Sequence, residues 1–194
     1  MTLWPRVTLL DPGDPTPPWR EAGALLARLH RLPAPELPPH GGFARLQRAG
    51  SDAANLRHGG ATDVLRKLTL DLTRSWPQGG GQLVHGDFHL GNLGRLADGR
   101  LVLLGVDHLG LGDPAWDLAL PAGLFGAGLL PDADWNALLD GYFEQDPDAR
   151  RRPWPELDHP ARCAVAMAAI DEQHRDYTTQ LAATLLETCV RMVT

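Results

Sequence analysis

Strand-like patterning in this chain is confined to one short stretch, and a polar loop interrupts it. Gln82-Leu83-Val84 reads as a strand, Leu93 to Leu96 resumes, Asp98-Gly99 supplies a hairpin turn, and Leu101-Val102-Leu103-Leu104 returns. On both sides the apolar residues recur at helical spacing. Thr16-Pro17-Pro18-Trp19 has the form of an N-cap with proline at the first helical position, followed by Ala22, Leu25, Leu26, Leu29 and Leu32. Pro33-Ala34-Pro35 ends that helix, and a loop rich in Gly, Pro and polar residues is expected to run to about Gly60. Thr62 is expected to cap a second helix, with Val64, Leu65, Leu68, Leu72 and Trp76 on one stripe, stopped by Pro77 and Gly79-Gly80-Gly81. Helices are expected from Pro114 to Leu124, from Asp132 to Phe143 and, once or twice, between Pro160 and Val193, after a Pro147 to Pro160 connection. The fold class is therefore α+β, mostly helical, around a small β hairpin.

Length and charge narrow the functions open to such a fold. A chain of 194 residues suits a single domain spanning 1–194. The net charge of -6, with arginines scattered among acids, excludes a nucleic-acid partner, which demands clustered basic residues. No run approaches the ~20 apolar residues of a membrane span, and the first residues lack a signal peptide's basic and apolar blocks, so a cytoplasmic location and no membrane partner are expected. Cys163 and Cys189 sit in apolar helical patterns and read as reduced core residues. The 18 basic residues include a single lysine, Lys67, which lies on the second expected helix.

The polar loop, Val84-His85-Gly86-Asp87-Phe88-His89-Leu90-Gly91-Asn92, places a histidine two residues before an aspartate and an asparagine five after it. A phosphoryl-transfer site needs a carboxylate to accept or orient an acceptor hydroxyl and a neutral oxygen ligand to hold Mg²⁺ against phosphates. Asp87 and Asn92 have those chemistries, and Gly86 and Gly91 would let the loop turn tightly. Asp, Asn and Gly are equally the residues of a plain solvated turn. The block after the hairpin, Asp107-His108-Leu109-Gly110-Leu111-Gly112-Asp113-Pro114-Ala115-Trp116-Asp117-Leu118-Ala119, decides against that bland reading, because structural context confirms a motif.

Together the two blocks resemble the aminoglycoside phosphotransferase/choline kinase-like family, which is similar in fold to protein kinases. The strong match covers residues 83 to about 120, and a weaker one extends back through Leu25-Leu26-Ala27-Arg28-Leu29-His30. The resemblance implies a C-terminal, catalytic-loop lobe with Asp87 as catalytic base, His85 supporting the loop and Asn92 as a Mg²⁺ ligand. It makes Asp113 and Asp117 structural carboxylates, and it implies ATP and Mg²⁺ as cofactors and a small-molecule hydroxyl acceptor. His89 and His108 read as hydrogen-bonded structural residues.

The chain departs from the family pattern at two points. Leu104-Gly105-Val106-Asp107 places Gly105 where the family has its second metal-ligating aspartate. Asp107 is the candidate to replace it as metal ligand, but its displacement of about 7 Å along a strand is far more than a bond of about 2 Å to Mg²⁺ absorbs without a local bulge, which disfavours the substitution. No glycine-rich loop or strand lysine precedes His85, so the nucleotide lobe is expected to be absent, through degeneration, supply by another polypeptide or gene truncation. An impaired or inactive kinase is expected, with a non-catalytic pseudokinase module as the alternative and a homodimer or protein partner covering the exposed face. A metal-dependent hydrolase built from His85, Asp87 and His89 is the second alternative. The group Asp171, Glu172, His174 and Asp176 is expected to be a solvated helix face.

Overall fold

The computed structural model describes residues 6–11, 14–34, 36–56, 59–77, 79–146, 155–175 and 179–193. In chain order the elements are β1 (Thr8–Leu9), α1 (Trp19–His30), α2 (Gly42–Asn55), α3 (Gly60–Arg74), β2 (Gln82–Val84), β3 (Leu93–Arg95), β4 (Leu101–Leu103), β5 (Gly110–Gly112), α4 (Ala119–Gly126), α5 (Asp132–Gln145), α6 (Pro155–His174) and α7 (Gln180–Arg191). The class is α+β and mostly helical. The hairpin is β3 against β4, in the register Leu93 to Leu103 and Arg95 to Leu101, and β1 adds a third antiparallel strand through Thr8 to Arg95. β2 does not join it. It pairs antiparallel with β5, Val84 opposite Gly110 and Gln82 opposite Gly112, so the polar loop between β2 and β3 is pinned at both ends by different sheets.

Helical patterning around these ribbons forms two apolar clusters. One joins Leu26 of α1, Leu138 and Tyr142 of α5 and Ala122 of α4 to Phe88 and Leu93. The closeness of α1 and α5 depends on Gly23 and Gly141, because a methyl at Gly23 would collide with the Leu138 carbonyl and one at Gly141 with the Arg20 carbonyl. Backbone cannot retreat as a flexible side-chain end can. Gly141→Ala is therefore expected to cost about 2–3 kcal/mol in urea unfolding despite alanine's better helix propensity, and a neutral or stabilising result would refute this close packing.

The second cluster packs α2 and α3 against α6 and α7, through Leu46, Ala49, Ala53, Leu65, Leu68, Ile170 and Leu185. Cys163 and Cys189 are buried in it as free thiols, and burial pushes each up to about 12, which leaves them protonated and inert. Among the described residues no helix is long and apolar enough to cross a membrane.

Several boundaries differ from expectation. The loop expected before Gly60 contains α2, whose buried Gly42, Leu46, Ala49 and Ala53 do fall on one helical stripe, hidden by the Gly and Pro residues that flank it. Thr16 does not cap α1: its amide and hydroxyl both bond to Asp14 Oδ1, and α1 starts behind Pro18 with no side-chain cap. Thr62 lies inside α3, donating to the Gly59 carbonyl, and Gly59 holds the cap position. The expected helix from Pro114 splits into a 3₁₀ turn, Pro114–Trp116, capped by Asp113 through the Ala115 amide, and then α4. α6 begins at Pro155, carrying Pro160 within it, and 147–154 of the expected connection lie outside the described residues.

Candidate active site

The loop after β2 alternates inward and outward. His85 and Phe88 are buried, whereas Asp87 and His89 stay partly exposed at a cavity of about 290 Å³. Gly86 has φ of 80°, and a Cβ there would collide with the His108 carbonyl, so this turn requires glycine. The His85 ring donates from Nε2 to the Leu104 carbonyl at 2.7 Å and accepts the Asp87 amide at Nδ1, 3.3 Å. That links the loop to the end of β4. A 3₁₀ turn, Leu90–Asn92, then brings Asn92 back, its Nδ2 donating to the Asp87 carbonyl at 2.8 Å and lying 3.4 Å from Asp87 Oδ2.

Beneath the loop lies Asp117, fully buried. Its Oδ2 accepts the His85 amide at 2.7 Å and His30 Nε2 at 2.9 Å, and its Oδ1 accepts the Gly86 amide at 2.8 Å. Tyr142 donates to His30 Nδ1 at 2.7 Å and completes the chain of bonds. Burial alone would push Asp117 up, but the bonds from His30, His85 and Gly86 outweigh it and hold the carboxyl below its ordinary value. The backbone of the loop and α1 thus meet at one carboxylate, with α5 joined to it through His30.

Arg45 was not expected here. It comes from α2 and pairs with Asp87 Oδ1 at 2.5 Å while donating to the Gly86 carbonyl at 3.2 Å. The segment before α2 runs beside β5, with His40 donating to the Leu111 carbonyl and Gly41 to the His108 carbonyl, and this aims the helix at the loop. The place of Arg45 opposite Asp87 is not written in the local sequence, because it depends on how α2 docks against the loop. Asp171, expected on a solvated face, is exposed and lines the same cavity, as does Trp116. His174 is exposed and Glu172 pairs with Arg175, while Asp176 lies outside the described residues.

The metal-side residues are less complete. Gly105 has φ of 64° in the left-handed region, and a Cβ on it would stand 2.7 Å from Asn92 Oδ1. The position is thus beside the asparagine oxygen, yet it supplies no carboxylate. Asp107 follows in an exposed 3₁₀ turn, Val106–His108. Mg²⁺ is normally held by one or two carboxylates together with phosphates. Asn92 offers a neutral amide oxygen to such an ion and residue 105 offers no carboxylate, so the site fits the ion incompletely. The hydrolase set does not assemble either: both His85 ring nitrogens are committed inside the protein, and among the described residues no group of three or more His, Cys, Asp or Glu could hold a metal.

Burial lowers the pKa of His89 and His40 against the opposing pull of nearby carboxylates, and that of His159 against its bond to the Leu72 carbonyl. The folded chain therefore favours these imidazoles neutral, while the unfolded chain protonates them near ~6.5. Their contribution to stability is full above that value and is lost as pH falls. Thermal melting is expected to occur at a lower temperature at pH 5 than at pH 7, and an unchanged midpoint would contradict it.

The fold has known counterparts. The chain overlays choline kinase LicA from Streptococcus pneumoniae with a TM-score of 0.60 at 14% identity, covering 97% of this chain and 68% of that one. An ethanolamine kinase from Plasmodium vivax gives 0.61 at 12% identity, over 98% and 63%. A spectinomycin phosphotransferase solved with ADP and spectinomycin gives 0.57 at 13%, over 100% and 66%. The chain thus spans about two thirds of the length of these enzymes. No curated protein matches it significantly in sequence. The profile of the phosphotransferase enzyme family matches residues 3–157, most of the chain and the whole of the loop, hairpin and Asp113–Asp117 block, and the chain belongs to that family.

Proposed function

We propose that this chain is a small-molecule phosphotransferase domain in which Asp87 receives the proton of an acceptor hydroxyl as that hydroxyl takes the γ-phosphoryl group of ATP. The observation that carries the reading is the placement of Asp87. Its backbone is fixed by Asn92 and by the Asp117 network, and its carboxylate opens on the 290 Å³ cavity. Asp171 lines the same cavity, so two carboxylates against one Arg45 favour a cationic acceptor such as an amino alcohol or aminoglycoside. His85 acts by holding the loop to β4. Arg45 fixes Oδ1 of Asp87, and Oδ2, held only by a long bond of 3.4 Å from Asn92 Nδ2, is the oxygen that would meet the hydroxyl. Since the chain spans about two thirds of its counterparts, the nucleotide side of the reaction is part of this proposal.

A non-catalytic binding module is the second reading, and two observations favour it. Gly105 withholds a metal carboxylate, and the Arg45 guanidinium pairs with the carboxylate that must act as base. Leu9 and Val106, 66% and 57% exposed, leave apolar surface beside the hairpin, which supports a second copy or separate polypeptide covering it.

Calorimetric titration of Mg·ATP into the protein, followed by phosphate transfer to amino-alcohol and aminoglycoside acceptors, separates the two. Saturable binding that Asn92→Ala weakens, with transfer that Asp87→Ala reduces by about 10²-fold or more, is the kinase result. Acceptor binding without transfer, with Mg·ATP or without it, is the result for a binding module.

A further inference from the structure

His89 stands beside Asp87 on the wall of the 290 Å³ cavity, and the function proposed above gives it no part. Among the described residues its ring makes no hydrogen bond, so it is not the hydrogen-bonded structural histidine expected from the sequence. Gly91 seats the ring. A Cβ there would stand 2.9 Å from both Nδ1 and Cε1 of His89, so that edge of the imidazole lies over the Gly91 backbone while Nε2 is turned toward Asp87. Nε2 stops 4.0 Å from Asp87 Oδ2, too far for a direct bond. Oδ2 is also the oxygen that Arg45 does not hold.

That gap suits one hydroxyl group. An oxygen at ordinary hydrogen-bond lengths, about 2.7 Å from Oδ2 and about 2.9 Å from Nε2, would see the two at an angle of roughly 90°. A hydroxyl has one proton to donate and two lone pairs. An ionised carboxylate only accepts, so the proton points at Oδ2 and one lone pair is left for an N–H from His89. Burial favours the neutral imidazole against the pull of Asp87, and Arg45 and His85 act in the same direction as burial. A neutral ring carries one N–H, and a hydroxyl oxygen in the gap selects the tautomer that has it on Nε2.

We propose that His89 is a catalytic residue of the transfer: its Nε2–H bonds the acceptor hydroxyl oxygen and, together with Asp87 Oδ2, fixes which lone pair of that oxygen points at phosphorus. The proposal deepens the phosphotransferase reading and rests on its placement of the acceptor at Asp87. The new O–P bond forms as the bond from phosphorus to the departing nucleoside diphosphate breaks. The hydroxyl proton passes to Oδ2, and the proton on Nε2 stays where it is. His89 therefore orients the nucleophile and selects for a hydroxyl without changing its own charge.

The test compares probes that differ by one hydroxyl: choline against ethyltrimethylammonium, and kanamycin B against tobramycin, which lacks one of its hydroxyls. In calorimetric titration of the full chain without nucleotide or Mg²⁺, the hydroxyl member of at least one pair should bind about tenfold or more tightly than its deoxy partner. His89→Leu should erase about threefold to tenfold of that preference and leave the affinity for the deoxy member unchanged. His89→Gln, whose amide nitrogen reaches about as far as Nε2, should keep most of it. Gly91→Ala retains the imidazole but pushes it off its seat, and should lose the preference too. With Mg·ATP, His89→Leu should lower kcat by about tenfold or more, a larger change than in KM. A ring with only a structural role would weaken both members of a pair alike. That result, an intact preference in His89→Leu, or no saturable binding of any hydroxyl member overturns the proposal. Phosphate transfer is read separately. A parent that transfers phosphate while His89→Leu keeps the hydroxyl preference sinks the His89 assignment alone. A preference that depends on His89 in a protein that transfers nothing sinks the phosphotransferase reading and leaves the hydroxyl contact standing.

Discussion

Asp117→Ala is expected to lower the unfolding free energy by about 3–5 kcal/mol, the range found when one partner of a buried charged network is removed. The substitution takes the acceptor from the His85 and Gly86 amides and from His30 at once, all inside the protein. Each buried donor left unpaired costs on the order of 1–3 kcal/mol. For a chain of this size the melting temperature should drop by roughly 10 °C. Asp117→Asn keeps one acceptor oxygen and should lose less. The same carboxyl predicts an acid response: its pKa lies below the ordinary value, so its stabilisation is present above the carboxylate range and disappears as pH falls through the lowered value. Urea unfolding of the two variants across that range is the check, and an Asp117→Ala protein as stable as the parent would show that the network does not hold the loop.

Gly105→Asp should raise Mg²⁺ affinity by about tenfold or more, equivalent to about 1.4 kcal/mol, by adding a carboxylate beside the asparagine oxygen. The backbone there is left-handed, which aspartate tolerates better than most residues, at a cost of about 1 kcal/mol. The new Cβ would stand 2.7 Å from Asn92 Oδ1, so the asparagine amide must rotate by a small amount to receive it. Titration with Mg²⁺, or with Mn²⁺ followed by paramagnetic resonance, measures the gain in the parent and in Asn92→Ala. If affinity does not change, residue 105 is not at a metal position, and Asp107 becomes the residue to replace next.

How far each part of the molecule could be read in advance follows from where its information lies. The short strands and hairpin were legible because Leu93 to Leu104 has its own turn at Asp98-Gly99 between two apolar runs. The pairing of β2 with β5 was not, because Gly110-Leu111-Gly112 carries almost no strand propensity and is placed by its neighbours' hydrogen bonds. Helix α2 escaped for a different reason: Leu46, Ala49 and Ala53 fall on one helical stripe that packs against α3 and α6, but the Gly and Pro residues on either side of it carry a loop signal. Gly23 and Gly141 look like helix weaknesses in one dimension and are the contact surface of α1 and α5 in three.

The candidate site divides in the same way. Asp87, Asn92, His85 and the departure at Gly105 were visible as spacing, because the loop is local and its chemistry is written in consecutive residues. Asp113 and Asp117 were visible as a block, but their different duties were not: Asp113 caps a 3₁₀ turn at the surface, whereas Asp117 is buried beneath the loop. Arg45 on Asp87, Asp171 on the cavity wall, and the stacked Trp76 and Trp116 come from positions 40 residues or more from their partners. The sequence by itself determined the class of fold and the family, since these depend on local pattern and short spacing, and the same spacing picked out the candidate residues of the loop after β2. Only the tertiary structure decided which charges face Asp87, how Asp117 supports the loop and where the two indoles stack, because those depend on helices meeting across distances that no local pattern records.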